Sequence, residues 1–511
     1  MKNVALHNLG CKVNSYELEV IQQMLQEKGY HIVPFDETAD IYIINTCTVT
    51  NIADRKSRQM LHKAKAKNPD AIVVAMGCYV QTGGEKAVMD DSIDLAVGNN
   101  RKKDVVALLE EFIKRKEAGE SIGHLEGNGV IVRVEETAEH ALESTKETKE
   151  KLSREEKQKQ QAKKKAREEE NLRAVWEKKT LGNASVVDVN KKCEYEEMQL
   201  KSTAEHTRAY IKVQDGCNQF CSYCIIPFAR GRVRSRKMED ILTEVRSLAK
   251  AGYKEVVLTG IHISSYGIDF DEEGEERGDY LGRSRVLDLV EAIQRVEGIQ
   301  RIRLGSLEPR IITEENARRM AAMEKLCPHF HLSLQSGCNS VLKRMNRHYT
   351  TEEYYRSVEL IRKVYEHPAI TTDVIVGFPQ ETEEEFENTV AFLEKIRFYE
   401  MHVFKYSARQ GTRAASMSGQ LTEKEKTKRS ARLLAMEESQ SKEYRSFYLG
   451  REVEALFEEA KEINGEIYQI GHTPNYVKVA LKTSEDLSNC LKKVRAEGFL
   501  TDEILNCNSV D

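Results

Sequence analysis

Six of the eleven cysteines fall into two sets of three, and the spacing of each set points to different chemistry. The compact set is Cys217, Cys221 and Cys224, a C-x3-C-x2-C run. Three thiolates this close together can hold three irons of a cubane cluster and leave the fourth without a protein ligand. An open coordination position is where metal sites do chemistry. The second set is dispersed. Cys11, Cys47 and Cys78 each end an apolar run: 4–11, 41–47 and 71–78. Rival readings stand beside each set. Structural zinc takes four ligands, usually as two spaced pairs; the compact run holds no fourth Cys or His, and the next histidine is His262. Singly, the dispersed cysteines read as buried residues of apolar strands. Their repeated position at strand ends predicts one shared site.

The elements that must position these residues show two α/β rhythms. Over residues 1 to about 115 apolar strands alternate with helix-patterned stretches at Ser15–Lys28, Ala53–Lys67, Gly84–Asp90 and Lys103–Lys114, with a fourth strand at Ile93–Val97. That alternation predicts a parallel sheet with crossover helices, where ligands gather at the carboxyl ends of strands. The rhythm returns from Thr207 to about Ala435. Strands are expected at Ala209–Val213, Glu255–Thr259, Arg301–Leu304, His329–Leu334, Thr371–Val376 and Met401–Tyr406. Helices are expected at Met238–Ala251, Val286–Val296, Glu352–Val364 and Glu383–Lys395. Six strand–helix steps make a partial barrel, whose chemistry belongs on the loops after the strands. The compact cysteine run follows the first of them. Past a charged helical stretch, Thr422–Tyr448, short strands at Arg451–Phe457, Gly465–Gly471, Tyr476–Leu481 and Leu491–Val494 predict a small β-barrel. Between the two α/β regions, Thr145–Lys179 is dominated by Lys, Glu, Arg and Gln and cannot bury a core; it reads as a solvated helix or a linker.

At 511 residues the chain is too long for one core. No apolar stretch approaches the roughly 18–20 residues of a membrane span. Leu9-Gly10-Cys11 faintly echoes a lipoprotein box, but the ten residues before Cys11 contain no apolar h-region, so no membrane association is expected. A cytoplasmic protein follows, in which cysteines bind metal or do redox work more often than they form disulfides. With a net charge of −5, a nucleic-acid surface must be local.

The cysteine run and its continuation, Asp215-Gly216-Cys217 through Cys224-Ile225-Ile226-Pro227-Phe228-Ala229-Arg230-Gly231, resemble the cluster loop of radical S-adenosylmethionine methylthiotransferases. Cys11, Cys47 and Cys78 match the ligands of that family's auxiliary cluster, and the tail resembles its small RNA-binding TRAM domain. Leu9-Gly10-Cys11-Lys12-Val13-Asn14-Ser15-Tyr16-Glu17 is most similar to the branch that acts on N6-threonylcarbamoyladenosine at tRNA position 37. Other branches act on isopentenyladenosine or on an aspartate of a ribosomal protein. The resemblance covers nearly all of the chain outside roughly 120–200. It implies an N-terminal methylthiotransferase domain over 1–117, a charged insertion over 118–202, a radical SAM core over 203–438 and a TRAM-like β domain over 439–511. Two 4Fe-4S clusters and S-adenosylmethionine would be the cofactors. The first cluster would cleave S-adenosylmethionine to a 5′-deoxyadenosyl radical that abstracts hydrogen from adenine C2, and the second would supply sulfur. Partners would be tRNA and an electron donor such as flavodoxin or ferredoxin. A plain iron–sulfur electron carrier is the non-enzymatic rival; carriers normally give each cluster four ligands.

Around the implied cofactor, Tyr223 either packs on the adenine or is a plain core aromatic. Gly260 would let backbone approach the methionine amino group. Ser306, Glu308, Gln335 and Asp373 would reach ribose or carboxylate, or serve as turn and barrel residues. For substrate phosphates, Arg55, Lys56, Arg58, Lys63, Lys65 and Lys67 lie along one helix, and Arg230, Arg232, Arg234, Arg236 and Lys237 follow the cluster loop. The tail from Arg451 to Asp511 holds more acids than bases, which keeps a protein substrate open. Cys193, Cys327, Cys338, Cys490 and Cys507 are expected to be incidental.

Overall fold

Continuous apolar runs build the centre of the first sheet. In the computed structural model, which describes residues 2–84, 87, 90–118, 184–191, 193–201, 207–270 and 284–510, strands β1 (Asn3–Asn8), β2 (His31–Val33), β3 (Ile41–Thr46), β4 (Ile72–Gly77), β5 (Leu95–Val97) and β6 (Ala184–Ser185) form a parallel sheet in the order β2-β1-β3-β4-β5-β6. Every residue of β3 and β4 is buried, as a parallel strand covered on both faces requires. The chain divides into two compact units: Met1–Leu9, Met24–Thr48 and Ile52–Val189 form one; Gly10–Gln23, Val49–Asn51 and Asn190–Asp511 form the other. The three-residue β2 and two-residue β6 had no counterpart in the sequence reading. The Thr145–Lys179 stretch and most of the helix expected at Gly84–Asp90 lie outside the described residues.

In the second unit β7 (Arg208–Lys212), the short hairpin β8 (Gln214–Asp215) with β9 (Arg234–Ser235), β10 (Glu255–Thr259) and β11 (Arg301–Leu304) come first. β12 (His329–His331), β13 (Ala369–Val376) and β14 (Glu400–Lys405) follow. Six of these strands pair in parallel as two three-stranded sheets, β11-β10-β7 and β12-β13-β14. A single bridge, Leu307 to Leu332, joins them. This is the expected set of six strand–helix steps. Three of the helices start at reciprocal capping boxes, Thr350 with Glu353, Thr382 with Glu385 and Thr422 with Glu425, which satisfy backbone donors that the first turn leaves open.

The tail is a closed five-stranded barrel: β15 (Glu452–Ile463), β16 (Glu466–His472), β17 (Lys478–Lys482), β18 (Leu491–Phe499) and β19 (Ile504–Ser509). The polar β19, Ile-Leu-Asn-Cys-Asn-Ser, closes it and was not legible as a strand. Arg303 fastens the tail barrel to the six-strand core. It makes ion pairs to Glu255 at 2.8 Å and donates to the Pro474 carbonyl at 2.9 Å. Among the described residues no helix is long and apolar enough to cross a membrane.

Candidate active site

The compact cysteine loop leaves β8 through a backbone that only glycine accepts. Gly216 has φ 72°, and a Cβ there would lie 1.8 Å from the Arg232 carbonyl oxygen. Cys217 N–H donates to the Gly231 carbonyl at 3.0 Å and Ser222 N–H to Met345 at 3.0 Å. Ser222 accepts from Ala414 N–H at 2.7 Å, and Asn346 Nδ2 donates to the Phe220 carbonyl at 3.0 Å. So three separate segments, at Gly231, Met345–Asn346 and Ala414, fix the loop. Burial pushes the Cys217 thiol up to about 11 and the Cys224 thiol higher still; Cys217 and Cys221 both act on Cys224. Arg347, half-buried and lying over the Tyr349 ring, donates to Cys221 Sγ at 3.3 Å. It offsets thiolate charge and escaped the sequence reading, because it lies 126 residues away in the chain.

The donor set fits a cluster better than a single ion. Tetrahedral zinc–sulfur bonds of about 2.3 Å require sulfurs roughly 3.8 Å apart. Among the described residues only His331, Asp373 and His402 bring three potential donor atoms within 4.8 Å of one another. Cys217, Cys221 and Cys224 are not among the groups that meet that separation, and three thiolates with no fourth are the donor set of a cubane with one open corner. His262 stays neutral, because burial lowers its pKa to about 4, and its Nδ1 lies 2.6 Å from Ser265 Oγ.

Behind the loop lies a buried ion network. Arg230 Nη1 contacts Glu17 at 3.0 Å and Asp215 at 3.1 Å, Nη2 donates to Asn14 Oδ1 at 2.7 Å, and Lys212 contacts both carboxylates. Burial alone would raise the Asp215 pKa, but Arg230, Lys212 and Arg234 outweigh it and hold the carboxyl well below its ordinary range. This corrects one expectation. Arg230, Arg234 and Arg236 do not form a phosphate-binding stretch: they are 1%, 4% and 0% exposed, and Arg236 is paired with Glu197 and Glu244. Only Arg232, stacked over Phe220 at 4.4 Å, and Lys237 face solvent. On the helix Asn51–Lys67, Arg55, Lys56 and Arg58 are exposed, while Lys63 and Lys67 pair with Asp36 and Lys65 pairs with Asp94.

Of the other residues singled out from the sequence, Tyr223 packs against a cluster containing Val341, Met345, Phe378 and Tyr406. A Cβ on Gly260 would meet Gln214 O at 3.0 Å, next to the Gln214 Oε1 that accepts from His262 N–H. Ser306 is exposed, and Glu308 is buried and ion-paired with Arg310 at 2.5 Å. Gln335, at φ 72°, donates its N–H to the Asp373 carbonyl at 2.8 Å, so these two stand side by side.

In the first unit Cys47 follows β3 directly. Cys78 opens the helix Cys78–Gly83 instead of ending a strand, because Gly77 (φ 101°) turns the chain. Thr46 pairs with Gly77, so the two cysteines follow adjacent strand ends in matched register. Ser57 Oγ accepts from Cys47 N–H at 3.2 Å, and Asn99 Nδ2 lies 3.5 Å from Cys78 Sγ. Cys11 belongs to the second unit and begins the turn into the helix Lys12–Glu27. Cys327, Cys338 and Cys507 are buried, while Cys193 and Cys490 are half-buried.

Residues 211–393 match the radical SAM superfamily, and residues 3–98 match uncharacterized protein family UPF0004. The chain is 37% identical over 496 residues to the threonylcarbamoyladenosine tRNA methylthiotransferase of Bacillus subtilis, covering 97% of this chain and 94% of that protein. It is 35% identical to the enzyme of the same name from Aquifex aeolicus (91% and 95% covered). Identity to the tRNA-2-methylthio-N(6)-dimethylallyladenosine synthase of Carboxydothermus hydrogenoformans is 31% (96% of each covered). A loop carrying three cysteines at the mouth of a six-strand core, together with this near-full-length similarity, places the chain among the enzymes of the radical S-adenosylmethionine methylthiotransferase family.

Proposed function

We propose that this enzyme adds a methylthio group to carbon 2 of N6-threonylcarbamoyladenosine at position 37 of tRNA, in the cytoplasm. The observation that carries the reading is the 37% identity, over 97% of the chain, to a relative named for that substrate, against 31% to one named for dimethylallyladenosine. Cys217, Cys221 and Cys224 would hold one 4Fe-4S cluster with S-adenosylmethionine, and Cys11, Cys47 and Cys78 a second. Together these groups supply one-electron cleavage of the sulfonium and the transferred sulfur.

The chain's own residues do the rest. Arg347 places positive charge 3.3 Å from the Cys221 sulfur, where a metal-bound thiolate would carry its negative charge. Gly260 keeps a strand end clear of side chain, so that backbone can approach a bound amino group. Tyr223 and the packed residues around it exclude water from one side of the loop. Glu308, Gln335 and Ser306 are the remaining residues assigned to the cofactor, whereas Asp373, expected with them, faces His331 instead. Arg55, Lys56, Arg58, Arg232 and Lys237 offer exposed positive charge to tRNA phosphates. Residues 1–117 form the methylthiotransferase domain, 118–202 the insertion, 203–438 the radical core and 439–511 the TRAM-like domain, with flavodoxin or ferredoxin as electron donor.

The test is mass spectrometry of nucleosides from tRNA treated with anaerobically reconstituted enzyme, S-adenosylmethionine and reductant. The 2-methylthio derivative of threonylcarbamoyladenosine is expected. Its absence, with isopentenyladenosine converted instead, would overturn the substrate.

A further inference from the structure

The face of β12, β13 and β14 turned away from the helices carries an ordered run of unlike groups. Thr372 is fully buried and meets Tyr354 of the helix Thr351–Val364, while Lys405 donates to Thr427 of the helix Glu423–Ser446 at 2.8 Å. Side chains alternate along a strand, so Thr371, Asp373 and Ile375, with their register partners His402 and Phe404, point the other way, into the concave side of the six-strand core. Ile375 packs in the same cluster as Tyr223 of the cysteine loop. Its partner on β14, Phe404, is 46% exposed, a large aromatic left open beside that cluster.

One step of about 7 Å down the same face, the surface turns polar. His331 Nδ1 is held by Thr371 Oγ1 at 3.0 Å, and its Nε2 stands 3.3 Å from Asp373 Oδ2 without hydrogen-bond alignment. The exposed His402 ring stacks on His331 at 5.9 Å between centroids. A flat apolar platform next to a cluster of donors and acceptors suits a ligand that is itself a flat ring with a polar arm.

Building on the substrate assigned above, we propose that this inner face is the receptor for the target base. Phe404 stacks on the unstacked adenine. His402 and Asp373, braced by His331, read the hydroxyl- and carboxylate-bearing substituent on N6. An exposed aromatic is the usual stacking surface for an extruded base. His402 can donate to a carboxylate, and Asp373 keeps lone pairs for an N–H or O–H. Sites built from such groups discriminate strongly against a ligand that lacks the matching polar atoms.

The test is competition between two forms of one tRNA, carrying N6-threonylcarbamoyladenosine or isopentenyladenosine at the target position, with cluster iron content checking that each variant folds. Wild type prefers the threonylcarbamoyl form. His402→Leu lowers the ratio of the two kcat/KM values about tenfold or more, while His402→Gln, which keeps a donor, restores most of it. Phe404→Ala lowers both values together by about tenfold. A His402→Leu ratio within about twofold of wild type overturns the proposal. One equivalent of Co2+ bound by wild type and lost in that variant, with the ratio unchanged, would assign the three residues to a cation instead. A wild type that modifies only isopentenyladenosine sinks the substrate reading and this inference together, before any variant is made.

Discussion

Cys217, Cys221 and Cys224 sit on one loop that three segments clamp, whereas Cys47 and Cys78 owe their matched position to the register of two neighbouring strands. The first arrangement is local: spacing alone puts three sulfurs together. The second depends on the whole sheet, since one residue of slippage between β3 and β4 would move both cysteines. Their surroundings differ too. A half-buried guanidinium stands against Cys221, while an amide stands against Cys78.

Breaking each set in turn should have the largest effects and separate their roles. Cys224→Ala is expected to reduce both 5′-deoxyadenosine release and methylthiolation to background. Cys47→Ala should abolish methylthiolation but leave reductive cleavage of S-adenosylmethionine in place, both read by chromatography of anaerobic reactions. Equal loss of both activities in Cys47→Ala would erase the distinction. Next in size is the ion network behind the compact loop. Arg230→Met leaves the buried Glu17 and Asp215 with Lys212 as the cation they share and one buried charge uncompensated, so unfolding in urea should show a loss of about 3 kcal/mol. No comparable penalty is expected from Asn99→Leu beside Cys78.

His262 sharpens the comparison through pH. Its folded pKa, about 4, lies below the ordinary histidine value, so the unfolded chain takes up a proton first as pH falls. Its contribution is complete above about pH 7 and is lost between about 6.5 and 4, on the order of 3 kcal/mol. His262→Gln should flatten that part of the stability profile; an unchanged slope would contradict the buried neutral ring. The smallest effect is expected from Arg347→Met, which removes one charged hydrogen bond to Cys221 and should slow 5′-deoxyadenosine release about tenfold. An unaltered rate would show that the guanidinium serves packing alone.

How much of this was legible divides along the same line. The C-x3-C-x2-C run, the strands Glu255–Thr259 and Arg301–Leu304, and the six-step core followed from local spacing and apolar periodicity. What escaped depends on distant partners. Arg230, Arg234 and Arg236 read as a phosphate surface because nothing local shows that Glu17, Asp215, Glu197 and Glu244 neutralise them. Arg347 has no motif of its own. The strand Ile504–Ser509 is too polar to announce itself and is fixed by pairing with β17 and β18. Cys78 was read as a strand end because the turn at Gly77 is a backbone property that apolar patterning does not reveal.

Two clusters, each held by three thiolates from the chain, are the proposed cofactors, and iron and sulfide analysis of the anaerobically reconstituted protein tests them most directly. Wild type should hold about eight irons and eight sulfides per chain, and a Cys217/Cys221/Cys224 triple alanine variant about four of each. Stoichiometric zinc, or about four irons in the wild type, would contradict the proposal.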